Sequence, residues 1–198
     1  IVEPRKLNPT QYGYICQSET PEGQPVGLVK NLALSSHITI PSNSEPVHIW
    51  AFENNVIRFE EFPIKDALFN VKVFINGTWI GIHYDPSKFV NNFKLARSKS
   101  IINIYNSIQW NIMENIIFIH TDAGRLTRPL YTVKNNELVI TKYKIKDIDS
   151  FENVIYSNLN NKSYSDIGDS SDNSDSDRNN RNNNNPIEFI DVEEIQNC

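Results

Sequence analysis

In the stretch Glu19–Leu32 (ETPEGQPVGLVKNL) two carboxylates, Glu19 and Glu22, stand three residues apart on either side of Pro21. Pro21 and Pro25 lock φ and remove backbone donors, while Gly23 and Gly27 permit φ > 0 or close backbone approach. A generic surface turn would tolerate almost any polar residues. Two Pro, two Gly and two Glu ahead of an apolar run are suited to placing backbone and charge against something specific. A well-formed loop entering a strand or helix would use the same residues, and composition and spacing leave both readings open.

Other chemistry has less to stand on. The four histidines, His37, His48, His83 and His120, are isolated, none at ligand spacing from a partner, so no metal site is expected. There is no Gly-x-Ser-x-Gly elbow, no Cys/His signature and no Gly-rich phosphate loop, so no catalytic residue is expected either. Asp122 in Thr-Asp-Ala-Gly-Arg reads as turn chemistry. Arg5 and Lys6 beside Tyr12 and Tyr14, together with Lys30, would suit a nucleic-acid backbone. That pattern is permissive, because phosphates need only Lys or Arg within reach.

The net charge of −5 is unevenly spread. Ser163–Asn185 carries five Asp and two Arg, net −3, and Pro186–Cys198 carries four carboxylates, net −4, which leaves residues 1–162 at +2. Asn70–Val133 stands at +4, a balance that favours a polyanionic neighbour mildly and describes a solvated basic face equally well. Cys16 and Cys198 lack a CxxC companion, which gives neither a disulfide framework nor a zinc site and suits a reducing compartment. No apolar run approaches the length needed to span a bilayer. The single Met is Met113, so the chain reads as a piece of something longer. Isoleucine and asparagine make up about a quarter of the residues, a bias expected from AT-rich coding sequence.

The elements that must position these residues are partly readable. Residues 1–18 suit a short strand or an extended loop, and a strand is expected at His37–Ile40. Pro46–Phe52 suits a strand or a short helix, with the helix favoured. Val71, Val73 and Ile75 alternate with Lys72 and Phe74, then Asn76-Gly77 precedes Trp79–Ile82; Asn-Gly between two β-rich runs predicts a hairpin with a type I′ turn. Asp85 as N-cap and Pro86 at N1 open a helix to about Ser98, with Phe89, Val90, Phe93 and Ala96 or Arg97 on one face. Lys94, Arg97 and Lys99 then sit where cations complement the helix dipole. Ile101–Trp110, Ile116–His120, Arg125–Val133 and Glu137–Ile140 read as strands, and Lys144–Leu159 as a helix. Asn160–Asn185, almost without apolar residues, is expected to be disordered. Pro186–Asp191 returns to strand-like alternation.

Four motifs carry a resemblance. The first runs from Pro4 to Leu34: PRKLNPTQYG, then CQSETPEG, then VGLVKNLAL. It is similar to the second-largest (β-type) subunit of multisubunit DNA-dependent RNA polymerases, whose pattern is R-x-L-H-P-T-x-W/Y-G-x-x-C-P-x-E-T-P-E-G-x-x-x-G-L-V-K-N-L. Asn8 and Gln17 depart from the usual His and Pro. VFINGTWIG at Val73–Gly81 and FIHTDAGRLTRPL at Phe118–Leu130 resemble the family's V-F-V-N-G-x-W-x-G and I-x-T-D-A-G-R-x-x-R-P-L, in the same order. Phe189–Glu194 looks like its Y-I-D-x-x-E segment.

The resemblance implies an α+β fragment: a mostly extended fork-type segment, a small β-rich external domain with one or two helices, and a disordered insertion. It implies the end of a fork-type region at 1–45 (domain 3-like), a connector at 46–69, an external domain at 70–133 (domain 4-like), a connector with a helix at 134–162, the insertion at 163–185 and the start of a further domain at 186–198. Arg5, Glu22 and Gln24 are then the residues nearest nucleic acid or substrate, with Pro21, Gly23, Pro25 and Gly27 as loop scaffold. Arg5 could pair with Glu22 or with a phosphate. No catalytic residue and no metal ligand is implied within this chain; the Mg of the whole polymerase is held mainly by the largest subunit. The implied partners are that subunit, other polymerase subunits, the DNA template and nascent RNA, with no membrane. The implied location is a viral factory or virion if the source is a large DNA virus, and the nucleus if it is a eukaryotic cell. A stand-alone polymerase- or nucleic-acid-binding module derived from the subunit is the alternative.

Overall fold

In the computed structural model, residues 2–63, 65–134, 136–138 and 186–197 are described. They fall into two compact units. The first takes those within Ile1–Val90, Tyr105–Pro129 and Phe189–Cys198; the second takes those within Asn91–Ile104 and Leu130–Glu188.

The first unit is built on the predicted hairpin. Strands β3 (Val71–Ile75) and β4 (Thr78–His83) pair antiparallel, with Ile75 opposite Thr78. Asn76 and Gly77 have φ of 48° and 80°, as a type I′ turn requires. Asn76 also reaches across the sheet: its Nδ2 donates to Thr121 Oγ1 at 2.8 Å and its Oδ1 accepts the Thr121 amide at 2.8 Å. Strands β2 (Ile57–Arg58), β5 (Ser107–Asn111) and β6 (Ile116–His120) complete a five-stranded sheet in the order β2-β4-β3-β6-β5, with β3 and β6 parallel. Val71, Val73, Ile75, Ile80, Ile82, Ile108, Ile117 and Ile119 are its buried apolar residues; full burial of one such side chain contributes about 2 kcal/mol.

Helix α1 (Glu45–Glu53) begins where Pro46 can occupy the first turn, and its Val47 and Ala51, four residues apart, are buried. A four-residue helix α2 (Asp66–Phe69), not anticipated in the connector, follows. Helix α3 (Pro86–Ser98) starts as expected, Asp85 Oδ1 accepting the Lys88 amide at 3.1 Å. Phe89, Phe93, Ala96 and Arg97, at helical spacing, are buried, and so is Ser98 at its end. A smaller sheet joins β1 (His37–Ile38), β7 (Leu126–Tyr131) and β10 (Ile187–Asp191), with His37 opposite Thr127.

In the second unit, β8 (Val133–Lys134) and β9 (Glu137–Leu138) form a two-stranded ribbon, and the Thr132 amide donates to Pro186 O at 3.0 Å. Arg97 corrects the reading of the cations at the end of α3. Its side chain is 2% exposed and its Nη2 lies 3.3 Å from Glu188 Oε2, so this cation is buried in a part-buried ion pair and does not merely complement the helix dipole in solvent.

Three other expectations change. Residues 3–5 and 9–11 are short 3-10 turns and not extended chain, because Pro4 and Pro9 preset helical φ and Asn8 Oδ1 accepts the Thr10 amide. The strand expected from Ile101 starts only at Ser107: Ser100 has a φ of 55°, and the Ile101 amide folds back to Ala96 O, ending α3. The strand expected over Arg125–Val133 is interrupted at Thr132, between β7 and β8. The helix expected at 144–159 and the insertion at 163–185 lie outside the described residues.

Candidate nucleic-acid interface

Residues 16–32 form a loop of the first unit whose two ends meet at the same place. The Cys16 amide donates to Asn31 O at 2.8 Å, the Ala33 amide to Tyr14 O at 3.0 Å, and Ile15 and Leu32 form an antiparallel bridge. Above this base the loop is tied internally. The Gly27 amide donates to Thr20 Oγ1 at 2.8 Å, Thr20 Oγ1 donates to Val29 O at 3.2 Å, and Asn31 Nδ2 donates to Glu19 O at 3.3 Å. Val26 and Leu28 close successive turns onto Gly23 O and Pro25 O.

Arg5 enters from outside the loop. Its Nη1 donates to Gln24 O at 2.6 Å and Val26 O at 2.8 Å, so a cation is fixed on the negative ends of two peptide dipoles. Gly27 is what lets the two backbones meet: at its φ of +73° a Cβ would stand 2.5 Å from Arg5 O. Gly23, with φ of +92°, needs the left-handed conformation but faces open space. Glu22 and Gln24 present exposed side chains on this framework, and Pro21 is half-buried beside them. A cleft of about 200 Å³ under the loop is lined by Arg5, Lys6, Cys16, Gln17, Thr20 and Lys30, among others. The structure thus brings Arg5, Gln24 and Gly27 into one hydrogen-bonded assembly and leaves Glu22 and the Gln24 amide facing outward. Val26, Leu28, Val29 and Leu32 are 42–52% exposed, a strip of apolar surface that the loop carries alongside these polar groups.

A second assembly was not foreseen. Arg125 is 15% exposed in its side chain; its Nη1 donates to Asp191 Oδ2 and Ser107 Oγ, each at 2.9 Å, its Nη2 to Tyr105 O at 2.9 Å, and its Nε lies 3.1 Å from Asp122 Oδ1. Asp191 Oδ1 accepts the Glu194 amide at 2.8 Å. Tyr14, 2% exposed, directs its hydroxyl to Ile190 O and Asp191 O at 3.1 and 2.9 Å. Arg128 lays its guanidinium 5.1 Å from the Tyr14 ring centre and donates to Tyr12 O at 3.4 Å, across Gly13, where a Cβ would run into that guanidinium. Sequence motifs contained Arg125, Asp122, Asp191 and Arg128, whereas Tyr105 and Ser107 lie outside them; the partnership was invisible because the partners lie 66 and 116 residues apart.

Burial lowers the pKa of His37, opposed by a hydrogen bond with the Ser35 backbone. His37 sits edge-on to Phe189 and Tyr105 with centroids at 4.9 and 5.4 Å. Among the described residues no group of three or more His, Cys, Asp or Glu converges as a metal site, and no helix is long and apolar enough to cross a membrane.

The family models for RNA polymerase Rpb2, domain 3 and domain 4, match residues 1–38 and 73–134. The chain belongs to the family of second-largest subunits of DNA-directed RNA polymerase. It is 36% identical to RNA polymerase II subunit RPB2 of Encephalitozoon cuniculi over 98% of its own length and 15% of that protein. It is 38% identical to RNA polymerase II subunit 2 of Arabidopsis thaliana over 73% of this chain and 12% of the relative. RNA polymerase III subunit RPC2 of Drosophila melanogaster is 39% identical over 74% of this chain and 13% of its own length. The chain therefore spans about one seventh of the length of the first of these relatives. The Arg5-tied loop lies wholly within the domain 3 match, and Arg125 and Arg128 lie within the domain 4 match.

Proposed function

We propose that this chain is part of a second-largest polymerase subunit and contributes to DNA-templated RNA synthesis from ribonucleoside triphosphates, with the 19–32 loop close to the RNA–DNA hybrid. The observation that carries this reading is the loop itself. A polar tip bearing Glu22 and Gln24 is held on a rigid Pro/Gly frame by Arg5, within the domain 3 match. An exposed carboxylate near phosphates repels them at contact distance and accepts hydrogen bonds from sugars, bases or a basic side chain. Such a group contributes to orientation and discrimination, not to phosphoryl-transfer chemistry. That chemistry, with its Mg ions, would be supplied mainly by the largest subunit. The remaining partners would be the other polymerase subunits, DNA and nascent RNA. The relatives named above come from cellular eukaryotes, which favours the nucleus over a viral factory.

The test is nucleotide addition by the assembled polymerase carrying Glu22→Ala or Gln24→Ala. The reading expects KM for the incoming nucleotide, or the misincorporation frequency, to change about tenfold or more, a loss of ~1.4 kcal/mol of differential binding. Unchanged KM, kcat and fidelity in both variants would remove the loop from the active region.

A further inference from the structure

We infer that Tyr14 and Arg128 are positioning residues for the 19–32 loop, setting from its base where Glu22 and Gln24 are presented. The inference rests on the proposed function for its consequence in catalysis, but not for its structural content. The loop's ends meet at Tyr14–Cys16 and Asn31–Ala33, so its orientation is inherited from that base. Its apolar residues Val26, Leu28, Val29 and Leu32 are exposed, so packing of those side chains within the chain does not fix it. Tyr14 is the buried residue of the base, and it is held from two directions. Its hydroxyl is bound by the carbonyls of residues 190 and 191, and its ring is covered by the Arg128 guanidinium. Asp191 is in turn anchored by Arg125. Arg128 also grips the Tyr12 carbonyl and reaches it only because residue 13 is glycine. A planar fork that stacks and donates at once cannot be replaced by an ammonium. The residues of the domain 4 match therefore aim a loop that lies in the domain 3 match.

The experiment uses the assembled polymerase with the complete subunit carrying Tyr14→Phe or Arg128→Lys, both of which keep most of the packing. Hydrogen exchange is followed at the Cys16, Gly27, Leu28 and Ala33 amides, with the 71–82 hairpin as internal reference. Alongside it, KM and kcat for single-nucleotide addition are measured. Loss of one net hydrogen bond or cation–π contact at the base is expected to speed exchange at those amides roughly fivefold. Hairpin exchange is expected to stay unchanged and KM to rise while kcat is largely retained. Exchange that is unchanged in the loop, or that rises equally in the hairpin, overturns the positioning role. Faster loop exchange with KM and fidelity unaltered sustains the positioning role and counts instead against the loop's proposed place by the substrate.

Discussion

Removing one member of the Arg125–Asp191 pair should cost far more than an exposed salt bridge does. The Asp191 side chain is 3% exposed and that of Arg125 15%. Truncation in Asp191→Ala strips one acceptor from Arg125, which keeps Tyr105 O, Ser107 Oγ and Asp122. That places the loss at the lower end of the range for breaking buried pairs, about 3 kcal/mol, and the orphaned Glu194 amide adds about 1 kcal/mol. Arg125→Met is worse, at about 4–5 kcal/mol, because it leaves a carboxylate buried with the Glu194 amide in place of a cation. The double variant Arg125→Met/Asp191→Ala removes the uncompensated charge, so its cost should fall short of the sum of the single variants by about 2–3 kcal/mol. Urea unfolding followed by tryptophan fluorescence measures all three, with equal m-values as the condition for comparison. Single losses below about 1 kcal/mol, or an additive double variant, would refute the burial argument and make the pair a screened surface contact.

Two further outcomes are expected. Gly27→Ala should cost about 2–3 kcal/mol, since left-handed strain of about 1–2 kcal/mol adds to a Cβ lying 2.5 Å from Arg5 O. Gly23→Ala, strained but unobstructed, should cost only about 1 kcal/mol; thermal denaturation of the two variants checks the order. Acidification should weaken the fold through His83, whose Nδ1 accepts the Asp85 amide at 3.0 Å and whose Nε2 lies 3.1 Å from Asn54 O. The neutral Nε2–H tautomer satisfies both, and burial lowers its pKa below 6.5, against the opposing pull of the Asn54 carbonyl. The unfolded chain therefore binds the proton more readily. Stability is complete above about pH 6.5 and declines as pH falls through that value toward the folded pKa. His83→Gln should flatten the dependence of Tm on pH between about 7.5 and 5.5 without abolishing it, because burial lowers the pKa of His37 as well.

What the sequence made legible was local. The hairpin follows from Asn76-Gly77, and the start of α3 from Asp85-Pro86, because each depends on backbone preferences within a few residues. The frame of the 19–32 loop was legible for the same reason. The partners were not. Arg5 binds carbonyls 19 and 21 residues away, and carbonyls leave no mark in a sequence, since every residue has one. Arg97–Glu188 and Arg125–Asp191 span 91 and 66 residues, so only the fold reveals that surface-looking cations are buried. The misplaced start of β5 has the same origin. Ile102 and Ile104 have the alternation of a strand, yet the chain there is turning out of α3 and buries them outside any ladder.

As proposed, the exposed tip of the 19–32 loop lies beside the RNA–DNA hybrid in a working polymerase. A zero-length photo-crosslinker placed at Gln24 of the complete subunit, in elongation complexes stalled with RNA labelled at its 3′ end, tests it directly. Crosslinks to RNA or template DNA within a few nucleotides of the 3′ end, absent when the complex is dissociated beforehand, are the expected result. Crosslinks confined to protein, with none to nucleic acid at any stalled position, would contradict it.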